Sequence, residues 1–111
     1  MEDFFYFGIR QIHEGLKAKK FSATELVSAL LKRIEVLEPK LQAFITITPE
    51  VALEAAGHVD RKIAESEDLG LLDGIPMSLK DLFCTRGVQT TAGSKILEGF
   101  VPPYDAAVVS R

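Results

Sequence analysis

Ser22-Ala23-Thr24-Glu25 opens the stretch that most constrains the fold. It is a capping box: the serine side chain accepts from the backbone of the third helical residue, and the glutamate reaches back to the cap. The helix that follows carries Leu26, Leu30, Ile34 and Leu37 on one face, widened by Val27 and Leu31. A stripe that broad must be covered by another element. Glu38-Pro39 is expected to stop the helix near Leu37, because the residue before proline is pushed out of helical geometry. Upstream, Phe4 to Phe7 leads into a first helix over residues 9–18, with Ile9, Ile12 and Leu16 in register. His13 lies beside that stripe, but Lys17 holds the position where a helical metal site wants its second ligand, so His13 is structural. Lys17-Ala18-Lys19-Lys20 and Lys32-Arg33 suit solvated helix ends.

Residues 43–47 are β-branched and aromatic and predict a strand. Thr48-Pro49-Glu50 then starts a third helix, with threonine as cap and proline at the first position. That helix is expected to run to Ala64 or Glu65, with Ala52, Ala55, Ala56, Val59 and Ile63 as its packed face and His58 turned to solvent. Carboxylates in the acidic loop 65–70 oppose the macrodipole and should end it. Helix, helix, strand, helix, strand is the order of an α/β domain. No repeat or linker divides the chain. It is treated as one domain, with 1–70 supplying helices and one strand and 71–111 beginning with a second strand.

The second predicted strand follows the Asp73-Gly74 turn. Ile75, Met77 and Leu79 alternate with Pro76, Ser78 and Lys80. Lys80 stands at the strand end, where α/β proteins tend to place chemistry. Held among apolar residues, a lysine there would be desolvated and able to act as a neutral base. The same pattern also suits a surface lysine at a strand mouth. Ser78 shares the lysine's face and is taken as a packing residue. Asp81 is expected to hold the strand exit by accepting backbone donors in the turn that follows. Beyond it the pattern is irregular. Val88 to Thr91 is expected to be a short extended piece, Ser94 to Leu97 a single helical turn and Val101 to Tyr104 extended. Asp105 is expected to cap a last helix from Ala106. Thr90, Thr91, Gly93 and Ser94 are candidates for a pocket mouth. Cys84 has no histidine partner nearby and is expected to be a small buried residue.

Gly74-Ile75-Pro76-Met77-Ser78-Leu79-Lys80-Asp81 resembles the G-I-P-x-x-x-K-D element of the amidase signature family. The runs Cys84 to Glu98 and Phe100 to Val109 resemble the stretch that follows it in that family, and the wording is most similar to the A-subunit branch of the glutamyl-tRNA(Gln) amidotransferases. The resemblance implies an α/β fold, the amino-terminal portion of a mixed β-sheet covered by helices. It implies that Lys80 is the lysine of a Ser-cisSer-Lys triad. It implies glutamine as ammonia donor, no cofactor for this polypeptide, ATP used by a partner subunit, the other amidotransferase subunits as partners, and Glu-tRNA(Gln) engaged mainly through them. The family's glycine- and serine-rich signature, with the bridging and nucleophilic serines, lies beyond this region. Ser22, Ser28, Ser66, Ser78, Ser94 and Ser110 stand in no such run. The chain is therefore expected to be an amino-terminal piece, inactive alone. The alternatives are a piece of another amidase-signature hydrolase acting on small amides, and a non-catalytic interaction module.

Composition bounds these readings. With 47% hydrophobic and 26% charged residues the sequence is globular. A net charge of −3 argues against a main nucleic-acid grip. The one cysteine excludes an internal disulfide and fits a reducing compartment. There is neither a basic start with a long apolar run nor a stretch of about 20 apolar residues, so no signal, no membrane and a cytoplasmic setting are expected.

Overall fold

Helices form wherever the apolar spacing is helical, and the β-like segments remain irregular. The computed structural model describes residues 3–111. After a single 3-10 turn at Phe4–Tyr6 come α1 (Ile9–Lys17), α2 (Ala23–Leu41) and α3 (Pro49–Ala64). A second 3-10 turn at Lys95–Leu97 and the short α4 (Ala107–Ser110) follow. The residues gather into two compact units. The helical unit comprises residues 3–41 with Pro49–Pro76, and the loop unit comprises Gln42–Thr48 with Met77–Arg111.

In the helical unit, α2 packs along α3. The core is Ile12, Leu16, Phe21, Ala23, Leu26 and Ala56, with Leu16 and Ala23 fully buried. Phe4 and Phe7 close one side, Phe4 meeting Phe21 edge-on at 5.0 Å between ring centroids. Gly15 is needed there, since a Cβ would stand 2.4 Å from the Phe21 ring. The predicted face of α3 is formed by four of its five residues. Ala56 is buried and Ala52, Val59 and Ile63 half-buried, but Ala55 is exposed. His58 is exposed, with its Nδ1 2.9 Å from Arg61 Nη2.

The start of α2 is satisfied donor by donor. Glu25 N–H donates to Ser22 Oγ at 3.0 Å and Ser22 N–H to Glu25 Oε2 at 2.8 Å, both legs of the capping box. Asp60 on α3 accepts from Ala23 N–H at 2.7 Å, Thr24 N–H at 3.0 Å and Thr24 Oγ1 at 2.6 Å. Leu26 N–H reaches Ser22 O. The four amides that a helix start leaves without intrahelical partners are thus all engaged.

Both α1 and α3 end in the same closure. Lys20 N–H donates to Gly15 O and Lys19 N–H to Leu16 O, with Lys19 at φ +54°; Glu67 N–H donates to Lys62 O and Ser66 N–H to Ile63 O, with Ser66 at φ +57°. Pro39 does not end α2, contrary to expectation; the helix continues to Leu41. Proline falls in the last turn, where few intrahelical bonds remain to lose. Glu35, whose carbonyl lacks that amide, is exposed and open to water.

The two predicted strands, 43–47 and 75–80, are not formed, and no mixed sheet exists among the described residues. The only pairing there is one isolated antiparallel bridge, Thr85 with Val88. β-propensity records how well a residue suits a paired, half-covered surface, and it builds no strand without a neighbour to pair with. In the loop unit, isolated backbone bonds and bonds through side chains replace a ladder. Gly87 N–H donates to Pro102 O and Thr90 N–H to Phe100 O. Gln89 donates from Nε2 to Thr46 Oγ1 at 3.3 Å and accepts from Gly99 N–H at 2.9 Å. Ser94 caps the Lys95–Leu97 turn through Ile96 N–H. Asp105 does not cap α4, which begins after Ala106 without a side-chain cap. Its Oδ1 accepts from Arg86 N–H at 2.7 Å instead.

Candidate active-site segment

The run 74–81 crosses from one unit to the other: Gly74 to Pro76 belong to the helical unit, Met77 onward to the loop unit. Its first residue must be glycine for two reasons. Gly74 has φ +79°, and a Cβ there would lie 2.6 Å from Leu16 Cδ1. Just before it, Asp73 accepts from Gly70 N–H at 3.0 Å and pairs with Lys62 Nζ at 2.9 Å. Lys62 and then Gly70 hold the Asp73 carboxyl below the usual carboxylate value, and Asp73 holds the Lys62 ammonium above its usual one. His13, beside this turn, has its Nδ1 buried without a hydrogen-bond partner.

Lys80 is exposed, and its carbonyl accepts from Phe83 N–H at 3.0 Å. The apolar wall expected around it is not built by this segment: Met77 is 69% and Leu79 45% exposed. Ser78 is exposed as well.

Asp81 does hold the segment after the lysine, but its donors lie ten residues on. Oδ1 accepts from Thr91 N–H at 2.9 Å, and Oδ2 accepts from Thr91 Oγ1 and from Gly93 N–H at 3.3 Å. The Asp81 carbonyl accepts from Ala92 N–H at 2.8 Å. The Thr91 hydroxyl first, then the Thr91 and Gly93 amides, hold the Asp81 carboxyl below its usual value.

Thr90 and Thr91 are therefore not free to line a pocket mouth. Both are buried, the Thr90 hydroxyl donating to Val88 O and the Thr91 hydroxyl to Asp81. Gly93 is exposed and Ser94 half-buried. Cys84 is half-buried, with Sγ 3.8 Å from Tyr104 Oη, and the thiol holds the tyrosine hydroxyl above its usual value. No group of three or more His, Cys, Asp or Glu suited to a metal ion is found among the described residues. No described helix is long and apolar enough to cross a membrane.

Sequence reasoning missed the Asp81–Thr91 bonds and the Asp60 cap. Both are carboxylates reaching donors far along the chain, and spacing alone does not say which donors a carboxylate meets.

A family model described as Amidase matches residues 25–111, which include all of this segment. The chain belongs to the amidase family. The A subunit of the glutamyl-tRNA(Gln) amidotransferase of Heliobacterium modesticaldum is 54% identical over 101 residues, covering 91% of this chain and 21% of the relative. Its counterpart in Cyanothece sp. is 50% identical over 103 residues, covering 93% and 21%. Among solved structures, a chain from an inhibitor-bound complex described as a vestigial protein complex that reveals the evolutionary origins of an s-triazine catabolic enzyme superposes with a TM-score of 0.89. It is 32% identical, over 94% of this chain and 23% of that one. This amidase chain thus spans about one fifth of the length of the curated relatives it matches.

Proposed function

We propose that this chain supplies the catalytic lysine, Lys80, of a glutamine-hydrolysing amidase that provides ammonia for converting Glu-tRNA(Gln) to Gln-tRNA(Gln). The observation that carries the reading is the Gly74-Ile75-Pro76…Lys80-Asp81 run within the matched residues, in a chain about half identical to the A subunits of these amidotransferases. The 32% identity to the s-triazine-associated chain is lower and favours the amidotransferase branch over another amidase.

In the proposed chemistry a serine outside this chain attacks the glutamine amide carbon. Its proton passes through a bridging serine to the neutral Lys80 amine. The lysine ammonium then gives a proton to the departing nitrogen, which leaves as ammonia, and water hydrolyses the acyl-enzyme. A partner subunit uses ATP to activate Glu-tRNA(Gln) and receives the ammonia. No cofactor or metal is assigned to this chain. In the longer protein, residues 43–47 and 75–80 join a mixed sheet covered by helices, and that sheet, with the rest of the site, supplies the dry wall Lys80 lacks here.

The test is ammonia release from glutamine by the complete protein. Lys80→Ala and Lys80→Arg are both expected to lose it, since a guanidinium stays protonated and cannot accept the serine proton. Full turnover in Lys80→Arg would remove the base assignment. The isolated chain is expected to release no ammonia, because none of its serines stands in a glycine- and serine-rich run. Turnover by the isolated chain that vanished in Lys80→Ala would overturn the division of the triad.

A further inference from the structure

We infer that Asp81 and Thr91 form a positioning clamp for Lys80, fixing the lysine's backbone for amide hydrolysis through the hydrogen bonds between Asp81 and residues 91–93. The inference rests on the reading of Lys80 as the base.

A lysine side chain has four rotatable bonds, so the placement of its amine depends first on where its backbone is held. Lys80 ends the segment, so a ladder joined by residues 75–80 would hold it from one side only, and the bonds on its neighbour Asp81 hold it from the other. Four donors from three consecutive residues converge on Asp81: the Thr91 amide, the Thr91 hydroxyl and the Gly93 amide on the carboxylate, and the Ala92 amide on the carbonyl. An aspartate that only stabilised its own turn would accept from the residues just after it. Here it closes residues 82–90 into a ring whose knot is adjacent to the lysine. The carboxylate is turned to Thr91 and Gly93, and Lys80 makes no ion pair with it.

A second observation supports a demand for fixed geometry. The turn Thr91 to Ser94, closed by Ser94 N–H to Thr91 O at 2.9 Å, has Ala92 at φ +51° and Gly93 at φ +71°. Glycine takes the left-handed region freely; alanine does so at a cost, and such strain persists where surrounding bonds over-determine it. The Ala92 amide is one of the four bonds on Asp81. Thr91 is 5% exposed and its hydroxyl has no other use than this bond and the Gly93 amide.

The experiment measures ammonia release from glutamine in the complete protein with Asp81→Asn, Thr91→Val, Thr91→Ser and Lys80→Arg, each beside a thermal melt. Misplacing a reacting group by about 1 Å costs up to about 100-fold in rate. Asp81→Asn and Thr91→Val are expected to lower kcat by about 10- to 100-fold with KM within about twofold at temperatures where both are folded. Thr91→Ser keeps the hydroxyl and is expected to restore most of the rate. A role confined to stability would move the melt and leave this split and this rescue absent. If Asp81→Asn does not fold, the Thr91 pair decides. Unchanged kcat in Thr91→Val, or a Thr91→Ser as impaired as Thr91→Val, overturns the clamp while a dead Lys80→Arg keeps the base reading intact. An active Lys80→Arg overturns the base reading and the clamp with it.

Discussion

The helical unit and the loop unit are stabilised by different means. In the first, backbone groups are satisfied inside α1, α2 and α3, and apolar side chains from Ile12 to Ala56 share one core. In the second, a few polar side chains, Asp81, Gln89 and Asp105, hold residues that no helix or ladder holds. Only two of its residues with large or branched side chains, Thr90 and Thr91, and the ring of Pro102 are buried. The difference teaches where chemistry can sit. Lys80 lies in the loop unit, so its loss takes nothing from the buried core of the helical unit, and a unit held by single carboxylates places its side chains one bond at a time.

The largest expected effect separates activity from stability. In the complete protein Lys80→Ala should lower ammonia release by about 10²–10⁴-fold, the worth of a general base. Its melting temperature should move little, because removing Lys80 breaks no ion pair and takes nothing from the core of the helical unit. A melt that fell in step with the rate would break the division of labour between the units.

Next comes the reverse experiment in the helical unit. Leu26→Ala should cost about 2–5 kcal/mol by transfer and cavity terms, since Leu26 is 1% exposed. Urea unfolding measures it. A cost below about 1 kcal/mol would mean that the core is not the source of that unit's stability.

Asp60→Ala should cost about 1–3 kcal/mol, because it strips partners from the Ala23 and Thr24 amides and the Thr24 hydroxyl together. Ser22→Ala, which removes one acceptor, should cost about 1 kcal/mol. Equal losses for the two would show that Asp60 adds nothing beyond the local cap.

The smallest effect is one of pH. The Asp81 carboxyl is held below its ordinary value, so its bonds stabilise the fold fully above the unfolded carboxylate range near pH 4 and are lost as pH falls through the lower folded value. Hydrogen exchange at the Thr91 and Gly93 amides, corrected for the intrinsic rate, should speed up below about pH 4. The amide of Leu30 in mid-α2 should not follow. Parallel loss at all three would merge the two units into one cooperative structure.

The sequence by itself determined the elements whose energetics are local. The capping box at Ser22 and Glu25, the three long helices, the Thr48-Pro49 start and the single helical turn after Ser94 all involve groups within one or two turns of each other. Their partners are therefore named by spacing. Gly74 was legible as a turn glycine, and the wording of residues 74–81 marked the family. Tertiary structure decided what depends on a distant partner. It gave Asp60 to the start of α2 and Asp81 to the turn at Thr91. It carried α2 through Pro39, and it left residues 43–47 and 75–80 unpaired where their propensity called for strands. A helix closes its hydrogen bonds within four residues of itself. A strand, or a carboxylate reaching ten or thirty-six residues along the chain, is completed only by whatever the fold brings beside it.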